Sequence, residues 1–245
     1  PGGTIAPKGI SRVPRGGSKT YTITPDKGYA IAEVLVDGVS AGRVSDYTFE
    51  KVKERHTIEA RFAPTELTFT DVAQADWFYS AVQFVTQKEL MNGVGDNRFD
   101  PQGSSSRAMV ATVLYRMAGS PAVTGDSGFG DVPAGQWHSN AITWAAANGV
   151  AQGNGKGFAP GDDVTREQLA QLFYNFAKLK NYDMTPAGDL SKFTDAPTGW
   201  SRKAMAWAVG SGIIGGKGNG ALDPTGEASR VELAAMLMRL QKLEK

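Results

Sequence analysis

An arginine directly follows a serine or threonine at three places in the chain. The three pairs are Ser106-Arg107, Thr165-Arg166 and Ser229-Arg230. Serine and threonine are good N-cap residues, so each arginine is predicted to lie in the first turn of a helix, where the helix dipole disfavours a cation. Unpaired amides at a helix start, together with the guanidinium fork, favour a carboxylate. The pattern therefore predicts three helix N-termini that could bind an anion.

The segments after these pairs have the apolar spacing of amphipathic helices. After Thr165, the residues Leu169, Leu172, Phe173 and Phe176 fall at i, i+3, i+4 and i+7. Corresponding stripes follow Ser106 and Ser229 in the same register. A short two-helix unit cannot bury such a stripe alone, so the stripes are expected to face one another.

The three helices belong to three copies of one repeat. A phenylalanine opens each copy at Phe69, Phe129 and Phe193, and the arginine follows after 38, 37 and 37 residues. Each copy is predicted to form a helix, a glycine-rich loop and a second helix. The simplest arrangement is a helical bundle with pseudo-threefold symmetry.

Other positions recur with the arginines. We expect Trp144 and Trp207 in the core, and the aspartates after the opening phenylalanines (Asp71, Asp131, Asp195) as loop braces. Earlier tryptophans could be core, groove wall or platforms for sugar rings; they are Trp77, Trp137 and Trp200. Glycines in the loops either permit positive φ or a tight loop, or allow a polymer to approach the backbone; they are Gly93, Gly153 and Gly216.

Composition excludes several functional classes. The 26 basic residues balance 25 acidic ones, which argues against nucleic-acid binding. Cysteine is absent and only two histidines occur, so thiolate chemistry is excluded and a metal site is not expected. We find no cofactor motif, no acid–base pair and no catalytic signature, and we predict that the chain is not an enzyme.

No apolar run is long enough for a membrane span, and no signal peptide opens the chain. We interpret the chain as a fragment or processed product.

The repeats resemble the S-layer homology (SLH) family over about residues 66–245. The resemblance rests on Phe-x-Asp-Val, a nearby tryptophan, a glycine-rich loop and the motif at Thr165-Arg166-Glu167-Gln168. It implies a three-pronged pseudo-trimer on bacterial cell walls, with a pyruvylated secondary cell-wall polysaccharide bound in grooves between repeats. The predicted ligand contacts are the three Ser/Thr-Arg pairs, the three loop glycines and the three earlier tryptophans named above.

Two observations leave more than one role for the three arginines. Each arginine could instead pair with a carboxylate of the next repeat and only lock the bundle. The copies also differ, because Met109 and Gln168 stand where the family has a glutamate and the third copy has Glu232. The three grooves are therefore not expected to be equivalent.

The first 63 residues differ from the repeats. Segments 19–24, 29–36, 46–52 and 56–62 alternate β-branched or aromatic residues with polar ones, which predicts strands. Gly28-Tyr29-Ala30-Ile31 and the closing segment from His56 to Phe62 resemble bacterial repeats of the internalin B-repeat kind. That resemblance implies a β-grasp-like spacer or adhesion module.

We thus predict a multidomain chain in which a small all-β module precedes an all-α bundle with three prongs. The hydrophobic period changes from 2 to 3.6 after Ala63-Pro64. The predicted domains are residues 1–63, 64–121, 122–184 and 185–245.

The predicted function is anchoring of a secreted surface protein to the cell wall, as a monomeric fragment that binds a pyruvylated polysaccharide. Protein–protein assembly in a surface layer is the alternative, and glycan hydrolysis is a third.

Overall fold

The computed structural model describes residues 2–244, which form two compact units. One unit ends at Thr68 and the other begins at Phe69. The predicted order, a small β unit followed by helices, is confirmed.

The first unit contains two antiparallel three-stranded sheets. The strands are β1 Gly3–Ala6, β2 Lys19–Pro25, β3 Tyr29–Val36, β4 Val39–Gly42, β5 Asp46–Phe49 and β6 Ile58–Pro64. The sheet orders are β1-β2-β5 and β4-β3-β6. Buried Ile23 and Val34 lie on the central strands β2 and β3.

Two of these strands were not predicted. β1 and β4 each have four residues, and β4 lies between the predicted strand at 29–36 and the predicted strand at 46–52. The turn itself occupies Asp37 and Gly38, whose φ angles are 50° and 80°. Positive φ at both positions is the geometry of a two-residue hairpin turn, so the chain reverses there and β4 pairs with β3.

The second unit contains six α-helices. They are α1 Tyr79–Gln87, α2 Arg107–Met117, α3 Ser139–Ala147, α4 Arg166–Leu179, α5 Arg202–Gly210 and α6 Arg230–Gln241. A short 3₁₀ turn, Leu190–Lys192, precedes α5. The predicted sequence of helix, loop and helix in each repeat is therefore confirmed.

The three repeats pack as a closed ring. The second helix of each repeat contacts the first helix of the next, so α2 packs on α3, α4 on α5, and α6 on α1. At the centre, Ser105 N–H donates to Ala228 O (3.1 Å), Ala228 N–H donates to Val164 O (2.9 Å), and Val164 N–H donates to Ser105 O (2.9 Å). This cycle of hydrogen bonds marks the pseudo-threefold axis of the helical unit.

The apolar stripes of the second helices supply much of the core. Leu169, Phe173 and Phe176 of α4 are buried, and so are Trp144 and Trp207 from the first helices. The prediction that these two tryptophans are core residues is confirmed.

Candidate ligand-binding site

Each of the three arginines reaches the loop of the neighbouring repeat. Arg107 Nε donates to Phe158 O and Nη2 donates to Gln152 O, both at 2.7 Å. The guanidinium carbon lies 4.7 Å from the centre of the Phe158 ring. Arg107 is partly exposed, and within residues 2–244 it has no carboxylate ion pair and no hydrogen-bond acceptor at Nη1.

Arg166 has a different environment. Its Nε donates to Leu222 O (2.9 Å) and its Nη2 to Gly215 O (2.8 Å). Its Nη1 forms an ion pair with Glu232 Oε1 at 3.1 Å, and Arg166 is only 2% exposed. Arg166 therefore has the arrangement that the structural alternative predicts, a pair with a carboxylate of the next repeat.

Arg230 closes the ring between the third repeat and the first. Its Nε donates to Phe99 O and its Nη2 to Asn92 O, both at 2.8 Å. Arg230 is 5% exposed, and burial lowers the pKa of its guanidinium. Hydrogen bonds to two carbonyls compensate for the desolvation of this charge.

The amides at the starts of the second helices are not free. The N–H groups of Arg107 and Ala108 donate to Asp162 O (2.9 Å) and Pro160 O (3.0 Å) of the next repeat. Corresponding bonds hold the starts of α4 and α6. The prediction that unpaired amides help to receive an anion is therefore wrong, because the neighbouring loop covers each helix start.

The residues before the arginines act as N-caps, as predicted. The hydroxyl oxygens accept hydrogen bonds from the third residue of each helix; the donors are Met109 N to Ser106 Oγ, Gln168 N to Thr165 Oγ1, and Glu232 N to Ser229 Oγ. Gln168 and Glu232 also return a bond to the N-cap amide, which completes a capping box in α4 and α6.

Arg107 borders an open cleft of about 350 Å³ to which all three repeats contribute. The first repeat supplies Arg107, and the third supplies Trp200. The second supplies the rest of the lining, which is Val150, Ala151, Gln152, Gln168, Gln171, Leu172 and Asn175. A cation, several amides and an indole thus surround one concave surface, which is the composition of a site for a polar ligand with one negative charge.

Two cleft residues, Gln171 and Asn175, were missed by the sequence analysis. Gln171 Nε2 donates to Asn175 Oδ1 (2.9 Å), and Asn175 Nδ2 donates to Val150 O (3.1 Å). With Gln168 they fall at i, i+3 and i+7 on one face of α4. The equivalent positions hold Met109, Thr112 and Arg116 in α2 and Glu232, Ala235 and Arg239 in α6. Three amides on this face are therefore particular to α4, and a comparison of the three copies could have found them.

Trp77, Trp137 and Trp200 precede the first helices and are 68%, 62% and 61% exposed. The indoles of Trp77 and Trp137 pack edge-on against Phe78 and His138. A core position is therefore wrong for all three. Trp200 lies in the wall of the Arg107 cleft.

The loop glycines allow close packing rather than positive φ. A Cβ on Gly153 would lie 2.6 Å from both Gly157 O and the Phe129 ring, and a Cβ on Gly93 would meet Arg98 O at 2.6 Å. At Gly216 the closest approach would be 3.0 Å. Gly153 also borders a shallow depression of about 540 Å³ that shares Gln152 with the Arg107 cleft.

The predicted aspartate braces are confirmed. Asp131 accepts hydrogen bonds from Phe158 N (2.9 Å) and Ala159 N (2.7 Å). Asp71 and Asp195 hold the equivalent loops in the first and third repeats. Because Phe158 O accepts a bond from Arg107, this brace also fixes the position of the arginine.

These bonds lead to a prediction about acid stability. Hydrogen bonds from Phe158 N and Ala159 N lower the pKa of Asp131 below 3.8. A lowered folded-state pKa stabilises the fold above the unfolded-state value and ceases to do so as pH falls through the folded-state value. We expect the melting temperature of the helical unit to fall below about pH 4, and to depend less on pH there in the Asp131→Asn variant. Equal pH dependence in the two proteins would contradict this role.

Two further properties concern the described part of the chain. Residues 2–244 contain no cluster of three or more histidine, cysteine or carboxylate side chains arranged to hold a metal ion. No helix in this range has the length and apolar character needed to cross a membrane.

Comparison with known proteins identifies the family of the repeats and several relatives. The S-layer homology domain model matches residues 68–108, 128–170 and 192–234, which together exceed half of the chain. An amylopullulanase of Thermoanaerobacterium thermosulfurigenes is 29% identical over 71% of the chain. A surface-layer 125 kDa protein of Lysinibacillus sphaericus is 32% identical over 65% of it.

The matched segment is a small part of these relatives. It covers 9% of the amylopullulanase, 14% of the surface-layer protein and 16% of the exoglucanase XynX of Acetivibrio thermocellus, which is 28% identical over 71% of the chain. Relatives named as enzymes and a relative named as a surface-layer protein thus share this segment.

Proposed function

Because the chain belongs to the S-layer homology family of cell-surface proteins, we propose that it anchors a larger protein to the cell wall by binding a pyruvylated polysaccharide in the Arg107 cleft. The pyruvyl ketal supplies one carboxylate on an otherwise neutral sugar. The chain acts as a monomer, and its role is binding rather than catalysis.

One observation carries the proposal. Arg107 is partly exposed, forms no carboxylate ion pair within residues 2–244 and borders an open cleft. Two carbonyls hold its Nε and Nη2, so the guanidinium is fixed while Nη1 remains available. A carboxylate that reaches Nη1 gains a charge-assisted hydrogen bond of about 1.5–3 kcal/mol.

The rest of the cleft suits the neutral part of a sugar. The amides of Gln168 and Gln171 can bind hydroxyl groups, and the exposed indole of Trp200 offers an apolar face on which a pyranose ring can lie. These contacts orient the ring so that its carboxylate points toward Arg107.

The comparisons support an anchoring role that does not depend on the attached protein. The relatives are named as polysaccharide-degrading enzymes and as surface-layer proteins, yet they share this segment. A segment common to proteins with different names supports a shared task, and attachment to the wall fits both groups.

Sedimentation with purified cell walls tests the proposal. We expect the chain to sediment with native walls and to remain in solution when pyruvate has been removed from the wall polymer. Equal sedimentation with both wall preparations would contradict recognition of the pyruvyl group.

The surface-layer relatives favour a second function, protein–protein assembly within a surface layer. In that case the chain would associate with copies of a surface-layer protein and would not bind walls stripped of protein. Sedimentation with walls that have been stripped of protein but retain their pyruvate therefore separates the two functions, because only the wall-anchoring function predicts binding to them.

A further inference from the structure

A second concave surface adjoins the Arg107 cleft. It is the depression of about 540 Å³ beside Gly153, and it shares Ala151 and Gln152 with the cleft. Five of its ten lining residues are glycines and two are alanines, so a ligand can approach the backbone closely there. Its volume lies in the range of small-molecule sites. A ligand bound in the cleft can therefore extend into this Gly153 depression.

The first and third repeats have a threonine where the second has Gly130. Thr70 donates to Asn97 O through its N–H (2.8 Å) and its hydroxyl (3.3 Å). Thr194 donates to Gly220 O in the same way, at 2.9 and 3.4 Å. In these two repeats the threonine thus ties the glycine-rich loop to the opening of the repeat.

The loop of the second repeat lacks this tie. Gly130 has no side chain, and within residues 2–244 its N–H makes no backbone hydrogen bond to the loop. A Cβ added to Gly130 would meet nothing within 4 Å, so open space lies beside it. Gly130 lines the depression. The glycine therefore leaves open a space into which a threonine side chain would project.

Building on the proposed function, we infer that the Gly153 depression binds the sugar that is linked to the pyruvylated one, and that this second sugar is uncharged. Phe129 lines the depression and is only partly buried, so its ring offers an apolar surface to a pyranose. The exposed side chains of Gln152 and Lys156 can donate hydrogen bonds to hydroxyl or acetamido oxygens.

The charges around the depression favour a neutral sugar. Of the described residues that line it, Lys156 alone is charged. The Asp131 carboxylate lies next to Gly157, since a Cβ added there would be 2.5 Å from Asp131 Oδ2. An anionic sugar would be attracted by Lys156 and repelled by Asp131, so its charge would gain little.

Titration calorimetry with two ligands tests the inference. One ligand is a methyl glycoside of pyruvylated N-acetylmannosamine, and the other carries a neutral N-acetylglucosamine in place of the methyl group. We expect the parent chain to bind the disaccharide about tenfold more tightly, because only the disaccharide reaches the Gly153 depression. Equal affinity for the two ligands would overturn the inference.

Gly130→Thr places the residue of the other two repeats in the depression. We expect this variant to bind the methyl glycoside as the parent does and to lose the preference for the disaccharide. Gly215→Thr is the matched control, because a Cβ on Gly215 would also meet nothing within 4 Å and Gly215 lines neither cavity. The control is expected to keep the tenfold preference.

Lys156→Ala tests the subsite without a change at Gly130. Lys156 is exposed, so its replacement is compatible with the fold. We expect the preference for the disaccharide to fall to about threefold, with unchanged affinity for the methyl glycoside. A full tenfold preference in either Gly130→Thr or Lys156→Ala would overturn the inference.

The same titrations distinguish failure of the subsite from failure of the proposed function. If the parent chain binds both ligands with equal affinity, the subsite is refuted and recognition of the pyruvylated sugar stands. If the parent chain binds neither ligand, the proposed function is refuted, and the subsite that rests on it is refuted as well.

Discussion

Replacement of Arg230 by alanine is expected to lower the free energy of unfolding of the helical unit by about 3 kcal/mol. Arg230 is 5% exposed and donates to Phe99 O and Asn92 O of the first repeat. Its removal leaves both carbonyls without this donor and opens a gap beside the Phe99 ring. It also removes a link that closes the ring between the last repeat and the first.

Urea denaturation followed by circular dichroism measures this loss. Arg202→Ala is the control, because Arg202 is exposed and makes a 3.3 Å bond to Pro197 O within its own repeat. That variant is expected to change the free energy of unfolding by no more than about 0.5 kcal/mol. An Arg230→Ala protein as stable as the parent would show that the bonds of Arg230 to Phe99 O and Asn92 O add nothing to the stability of the fold.

Replacement of Arg107 by alanine is expected to weaken binding of the pyruvylated glycoside at least about 100-fold. Loss of a charge-assisted contact of about 1.5–3 kcal/mol accounts for most of this change, since 1.4 kcal/mol corresponds to a factor of ten. Displacement of the loop at Gln152 and Phe158, which Arg107 holds, adds to it. Calorimetric titration of the two proteins measures the difference.

Arg107→Lys separates charge from geometry in the same titration. Lysine supplies a cation but no fork, so it cannot hold both Gln152 O and Phe158 O and also meet the ligand. We expect intermediate affinity for this variant. If Arg107→Ala folds as the parent does and binds the glycoside with the same affinity, Arg107 is not the receptor for the carboxylate.

Sequence periodicity and repetition were sufficient to predict the helical unit. The N-caps at Ser106, Thr165 and Ser229 and the aspartate braces depend on contacts within one repeat or on turn chemistry. Such local preferences are visible in residue types and spacing. The three repeated pairs also directed attention to Arg107, which borders the open cleft.

The parts that could not be predicted depend on contacts between repeats. The sequence did not indicate that the loop before Arg166 supplies Asp162 O and Pro160 O to the start of α2. It also did not reveal that Arg166 and Arg230 are buried whereas Arg107 is partly exposed. The three arginines differ in exposure because their neighbours differ, and only the packed ring shows which side chain faces which arginine.

A crystal structure of the chain with the pyruvylated N-acetylmannosamine glycoside tests the central claim most directly. We predict that the carboxylate lies about 3 Å from Arg107 Nη1, with the sugar ring against Trp200. A carboxylate bound at Arg166 or Arg230, or a glycoside found outside the Arg107 cleft, would contradict the account.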